Sequence, residues 1–178
     1  MTHRTIAINR APVLTLWAAV VAERLGFNRD EALSLGKAVA GLNAQAKGRR
    51  LGIFKPHEEK ATKAREKKRG EEFWVEVCGR PVAAKNTEDG VRAVIGSSVI
   101  APKAAQDYLE SKFGEDLDAA HRAMTKLAKS YGPKELAAVA FTLYEQFRPT
   151  IPEGVRGWGA KGDLDLGLIT SLAQKNHS

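Results

Sequence analysis

The sequence predicts an α+β protein dominated by helix, with an N-terminal helical hairpin, a small three-stranded antiparallel sheet and a C-terminal helical bundle segment. Three observations lead there. Residues 12–46 carry two apolar stretches bounded by residues that start and stop helices, residues 72–95 switch to a period of two, and from residue 102 the helical period returns. At 178 residues the chain suits one domain, 1–178, divided internally into a helical hairpin (1–50), a basic linker or arm (51–71) and a sheet with helices (72–178).

The first helix is expected over residues 12–25. Pro12 suits a first turn, where a missing N–H is harmless, and Gly26 suits the left-handed residue that ends a helix. Val13, Leu14, Leu16, Trp17, Val20, Val21 and Leu25 cover most of its circumference, so it should be buried on several sides. Asn28 followed by Glu31 forms a capping-box pattern for a second helix over residues 29–46. Along it Ala32, Gly36, Ala40, Ala44 and Gly48 place a small residue at every fourth position, a seam on which another helix can approach closely, with Ala18 and Ala22 as facing residues. Mid-helix glycine is about 1 kcal/mol worse than alanine, so Gly36 and Gly41 both imply tight packing, within one chain or between two.

Strands follow at residues 72–78, 81–85 and 91–95, with turns at Gly79-Arg80 and at 86–90, and Phe73, Val75, Val77, Val91, Ala93 and Ile95 facing inward. Pro102 opens a helix that Gly114 closes, with Ala105, Leu109 and Phe113 as its buried row. Asp116 is the expected cap of the next, which runs to Tyr131 through Ala120, Met124, Leu127 and Ala128. A third, 133–147, presents Leu136, Val139, Ala140, Leu143, Tyr144 and Phe147. Residues 148–154 form a loop, and Asp163 is the expected cap of a last helix bearing Leu164, Leu168 and Leu172.

Charge is concentrated. Residues 47–69 hold ten of the 28 Lys and Arg but three of the 21 carboxylates, which accounts for the whole net charge of +7. The ten are Lys47, Arg49, Arg50, Lys55, Lys60, Lys63, Arg65, Lys67, Lys68 and Arg69, the candidate nucleic-acid-binding residues. Such a run is either a solvated linker or an arm that neutralises phosphates and releases their counterions, on DNA or RNA, with little sequence discrimination. Phe54 and Trp74 are available to stack on bases or to join the core. The alternative is an interaction module that forms a homodimer through the seam of Gly36, Ala40 and Ala44.

Other motifs are weaker. Ala22, Gly26, Ala32 and Leu35 have the spacing of a helix-turn-helix, but Asp30 and Glu31 stand where a recognition helix should meet phosphates. Residues 157–162 satisfy G-x-G-x-x-G, yet Pro149 and Pro152 oppose the strand that should precede a dinucleotide loop. Asp118 and His121 share a helix face without further ligands, and Cys78 on a strand suits a small buried side chain. No catalytic, metal or cofactor signature emerges, so a non-enzymatic role is expected. A single cysteine, a first ten residues without the order of a secretory signal, and an apolar run from Val13 to Ala22 short of the about 20 residues that span a bilayer favour a cytoplasmic protein without membrane contact.

Overall fold

The computed structural model describes residues 5–46, 72–95, 98–150 and 161–173. In chain order these form β1 (Thr5–Asn9), α1 (Arg10–Arg24), α2 (Arg29–Ala46), β2 (Glu72–Val77), β3 (Arg80–Thr87), β4 (Gly90–Ile95), β5 (Ser98–Val99), α3 (Pro102–Phe113), a 3-10 turn (Gly114–Asp116), α4 (Leu117–Lys129), α5 (Pro133–Phe147), β6 (Lys161–Asp165) and α6 (Leu166–Ser171). The class is α+β.

Helix α1 is the axis of the molecule. Because its apolar residues occupy every side, each residue from Ala11 to Ala22 is buried, and α2, α3, α4, α5, β1 and β2 all pack on it. Trp17 is fully enclosed, so its indole N–H needs a partner inside the protein. It donates to the Ala140 carbonyl of α5 at 2.9 Å, and the ring stands edge-on to Phe147 at 5.3 Å between centroids. Burial of a side chain of this size contributes roughly 2–3 kcal/mol.

The α1–α2 turn follows its sequence signals. Gly26 takes φ +110°, and the Phe27 N–H reaches back to the Ala22 carbonyl at 3.1 Å. The capping box closes in both directions: the Asn28 N–H donates to Glu31 Oε1 at 3.0 Å and the Glu31 N–H to Asn28 Oδ1 at 2.9 Å. At Gly36 the helices nearly touch. A Cβ there would lie 2.7 Å from the Thr15 carbonyl oxygen and 2.9 Å from the Ala19 nitrogen, so the residues facing it are Thr15 and Ala19. Gly41 differs from expectation, since it is exposed and nothing approaches the place of its missing side chain within 4 Å.

The central sheet has four strands in the order β2-β3-β4-β5, not three. The extra strand, Ser98–Val99, is two residues long and pairs with Val94 and Ile95, too short to register as periodicity. Ile95, expected inward, is 57% exposed at this end of the sheet. The first hairpin turn is Cys78-Gly79, with φ of +52° and +72°, the two left-handed residues of a type I′ turn, whose twist matches that of the strands. Cys78 therefore leaves the strand it was expected to join, and β3 runs from Arg80 to Thr87, where the Thr87 hydroxyl donates to the Gly90 carbonyl at 2.8 Å.

Helix α2 ties the hairpin to this sheet. Glu31 and Ser34 lie on one face of α2, and both are buried. Glu31 Oε2 accepts from the Val91 N–H at 3.0 Å. Ser34 Oγ accepts from the Ala93 N–H at 2.8 Å and donates to the Ile100 carbonyl at 2.7 Å. Side chains at i and i+3 of a helix thus satisfy amides at i and i+2 along a strand edge that β5 is too short to cover.

A second sheet, β1 with β6, joins the two ends of the described chain in antiparallel register, Ile6 opposite Leu164 and Ile8 opposite Gly162. This sheet corrects the expectation of a helix from Asp163. Leu164 points into the core beside Ile6, so residues 161–165 alternate as a strand. The cap is Asp165, whose Oδ1 accepts from the Gly167 N–H at 2.9 Å and the Leu168 N–H at 3.3 Å. Leu168 turns toward solvent, 38% exposed. Asp116 stands at the N-cap position of α4 as expected, at the end of the 3-10 turn, but makes no cap bond through its side chain. Helices α3, α4 and α5 bury the rows expected of them, Val139 only in part.

Candidate functional site

The ten basic residues from Lys47 to Arg69 lie outside the described residues, as does Phe54. So do Gly48 and the loop part of the glycine-rich stretch, 157–160. Lys161 and Gly162 open β6, so no helix directly follows those glycines. Gly36 and Ala40 are enclosed within the chain. Ala44 belongs to α2, and its side chain is outside the described set.

The helix-turn-helix geometry fails at its reading helix. Glu31, Ala32, Leu33, Ser34, Leu35, Gly36, Ala38, Val39 and Ala40 are all buried, so this stretch of α2 cannot lie in a major groove. Lys37, only partly buried, has its ammonium 4.5 Å from the centre of the Tyr108 ring.

Cys78 is buried in the hairpin turn, and burial pushes its thiol pKa upward, an effect that nearby Arg80 only partly opposes. A thiol held neutral is a poor nucleophile. Asp118 and His121 do share a face of α4. Burial lowers the His121 pKa; Glu23 acts to raise it, Arg29 to lower it and Asp118 to raise it. Among the described residues no three His, Cys, Asp or Glu side chains converge to hold a metal ion.

Two places combine charge with geometry. The first is a cavity of about 200 Å³ between α1 and α4, lined by Val20, Glu23, Arg24, Thr125, Ala128 and Lys129. Arg24 is fixed there by two hydrogen bonds to the Tyr131 carbonyl, from Nε at 3.1 Å and Nη2 at 2.8 Å. The Thr125 hydroxyl is buried without a hydrogen-bond partner. Glu23 carries an ion pair with Arg29 at 3.9 Å, and the pocket is small and of mixed polarity.

The second lies where the start of α1 meets the end of α5. Arg10 Nε donates to the Pro149 carbonyl at 3.0 Å, the Tyr144 hydroxyl donates weakly to the Arg10 carbonyl at 3.4 Å, and the Arg148 N–H closes α5 on the Tyr144 carbonyl at 2.7 Å. Thr150 exchanges backbone bonds of 3.3 Å with Asp163, which pins that residue to β6. Burial lowers the Arg10 pKa and Arg148 lowers it further, while Tyr144 acts to raise it. Tyr144 itself is pushed up to about 12 by burial, against the pull of Arg148 and Arg10. Phe141, on the same helix as Tyr144 and 5.6 Å from it, has the guanidinium carbon of Arg80 from β3 4.4 Å from its ring centre. Sequence reasoning singled out neither Arg10 nor Arg148, because they are 138 positions apart and belong to no local pattern.

No family model, curated protein or solved structure matches this chain. Among the described residues no helix is long and apolar enough to cross a membrane.

Proposed function

We propose that this is a non-enzymatic cytoplasmic protein that binds nucleic acid with little sequence discrimination, through phosphate contacts from Lys47, Arg49, Arg50, Lys55, Lys60, Lys63, Arg65, Lys67, Lys68 and Arg69. One observation carries the reading: the whole excess of +7 falls in one short segment, while the rest of the chain is balanced. A segment of this kind gains affinity by releasing condensed counterions, a mechanism indifferent to base sequence and shared by DNA and RNA. The burial of residues 31–36 and 38–40 fits this mode, since that stretch of α2 is turned into the protein and not toward bases. In sequence, Lys47, Arg49 and Arg50 follow directly on α2, which ends at Ala46.

Self-association through Gly36, Ala40 and Ala44 has less support, because the gap at Gly36 is filled by the backbone of α1. The test is binding of a labelled duplex and a labelled single strand, of DNA and of RNA, at two salt concentrations. Substituting Lys47, Arg49, Arg50, Lys67, Lys68 and Arg69 by Gln should weaken all of them and reduce the salt dependence. Binding that is insensitive to salt and survives the substitutions would refute the proposal.

A further inference from the structure

We infer that the cavity between α1 and α4 binds a small free amino acid, independently of the basic segment. The cavity has about 200 Å³ of space, and its walls follow from helical spacing. Val20, Glu23 and Arg24 stand at i, i+3 and i+4 on α1, and Thr125, Ala128 and Lys129 at the same spacing on α4, so each trio shares one helix face. Val20 and Ala128 are buried and give the cavity an apolar wall.

The polar groups around that wall carry both signs and have unused capacity. The Thr125 hydroxyl is buried without a hydrogen-bond partner, whereas buried polar groups are normally satisfied. Arg24 commits Nε and Nη2 to the Tyr131 carbonyl, which orients the guanidinium and leaves Nη1 as a donor. Lys129, an exposed residue, adds a second cation. Glu23 stands 3.9 Å from Arg29, too far for a hydrogen bond, so its carboxylate keeps its accepting capacity. Helix α1 ends at Arg24 and α4 at Lys129, so two helix C-termini add partial negative charge here. A bare anion is opposed by Glu23 and those helix ends, and a bare cation by Arg24 and Lys129. A zwitterion satisfies both sets, with its carboxylate on Arg24, Lys129 and the Thr125 hydroxyl and its ammonium on Glu23. Size narrows the class. An apolar cavity of about 150 Å³ accepts benzene, and on that scale about 200 Å³ accommodates roughly eight non-hydrogen atoms, as many as valine has.

The test titrates the full chain with L-valine, with 3-methylbutanoate, which lacks the amine, and with 2-methylpropylamine, which lacks the carboxylate, and follows the methyl resonances of Val20, Thr125 and Ala128. Valine should bind with a dissociation constant of about 1 mM, and each truncated probe about tenfold or more weakly, for loss of one charge-assisted set of contacts. Glu23→Gln should bring valine down to the affinity of 3-methylbutanoate. Thr125→Val keeps the shape and removes the hydroxyl; it should bind valine about tenfold more weakly while melting no lower than the wild type, since the group it removes is stranded without ligand. Lys129→Gln should weaken valine binding about threefold, as for an exposed ion pair. Methyl signals that do not respond to valine would show that the cavity holds only water and would overturn the inference. Equal binding of the three probes would do the same, as would unchanged valine affinity in Thr125→Val. Neither result bears on whether the basic segment binds nucleic acid.

Discussion

The same substitution, glycine to alanine, should have opposite effects at two positions five residues apart on α2. Both glycines sit in a helix, where alanine is favoured by about 1 kcal/mol. At Gly41, exposed and with nothing within 4 Å of the added carbon, that gain should appear almost whole. At Gly36 the added carbon would stand 2.7 Å and 2.9 Å from backbone atoms of α1, and backbone cannot rotate aside as a side chain does. The helices must separate, which disturbs packing around Thr15 and Ala19. Overpacking of a core costs about 1–3 kcal/mol in typical cases, and two contacts with backbone place this one at the upper end. After the propensity gain, Gly36→Ala should destabilise by about 1–2 kcal/mol and Gly41→Ala should stabilise by about 1 kcal/mol. For a chain of this size each kcal/mol corresponds to about 2–4 °C in melting temperature, so the two variants should separate clearly in thermal and urea melts. Gly36→Ala as stable as the wild type, or Gly41→Ala less stable, would refute the assignment of close approach to Gly36 alone.

Other consequences follow from buried polar groups. Glu31→Ala should destabilise by about 3 kcal/mol in a urea melt, since it removes two hydrogen bonds to a carboxylate and strands the buried Val91 N–H; a change below about 1 kcal/mol would show that the tie between helix and strand contributes little. Cys78, with its thiol buried and its pKa raised, should resist thiol reagents in the native protein and be labelled in step with unfolding as denaturant rises; rapid labelling without denaturant would contradict the burial. His121 has a folded pKa below its ordinary value of 6.5, so below that value the unfolded chain binds more protons than the folded one. Its contribution to stability is complete above that value and is lost as pH falls toward the folded pKa. His121→Gln should therefore flatten the fall in melting temperature between neutral and mildly acidic pH, and an unchanged profile would count against it.

Local chemistry made much of this fold legible. The Asn28–Glu31 box, Pro12, Pro102 and Pro133 mark helix starts because caps and missing N–H groups act within one turn, and the all-round apolar surface of α1 announced its central position. Long-range pairing was not legible. Thr5–Asn9 alternates over only five residues, and its partners lie 152 to 160 positions away, so nothing local distinguishes it from an irregular lead into α1. Leu164 and Leu168 have a helical spacing that also fits a strand followed by a cap, and the sheet position of Ile6 decides between them. Gly36 and Gly41 look alike in sequence because the feature that separates them, the backbone of α1, is not in α2. For function, the basic segment declares itself by composition, whereas Glu23, Arg24, Thr125 and Lys129 acquire a common cavity only through the fold.

The most direct test of the proposed function is the slope of log binding constant against log salt concentration for a duplex, measured on the wild type and on the variant with Lys47, Arg49, Arg50, Lys67, Lys68 and Arg69 changed to Gln. Each phosphate neutralised on duplex DNA contributes about −0.9 to that slope. If all six residues contact phosphates, the slope should become shallower by about 5, with affinity falling for every sequence alike. Equal slopes in the two proteins would contradict the account.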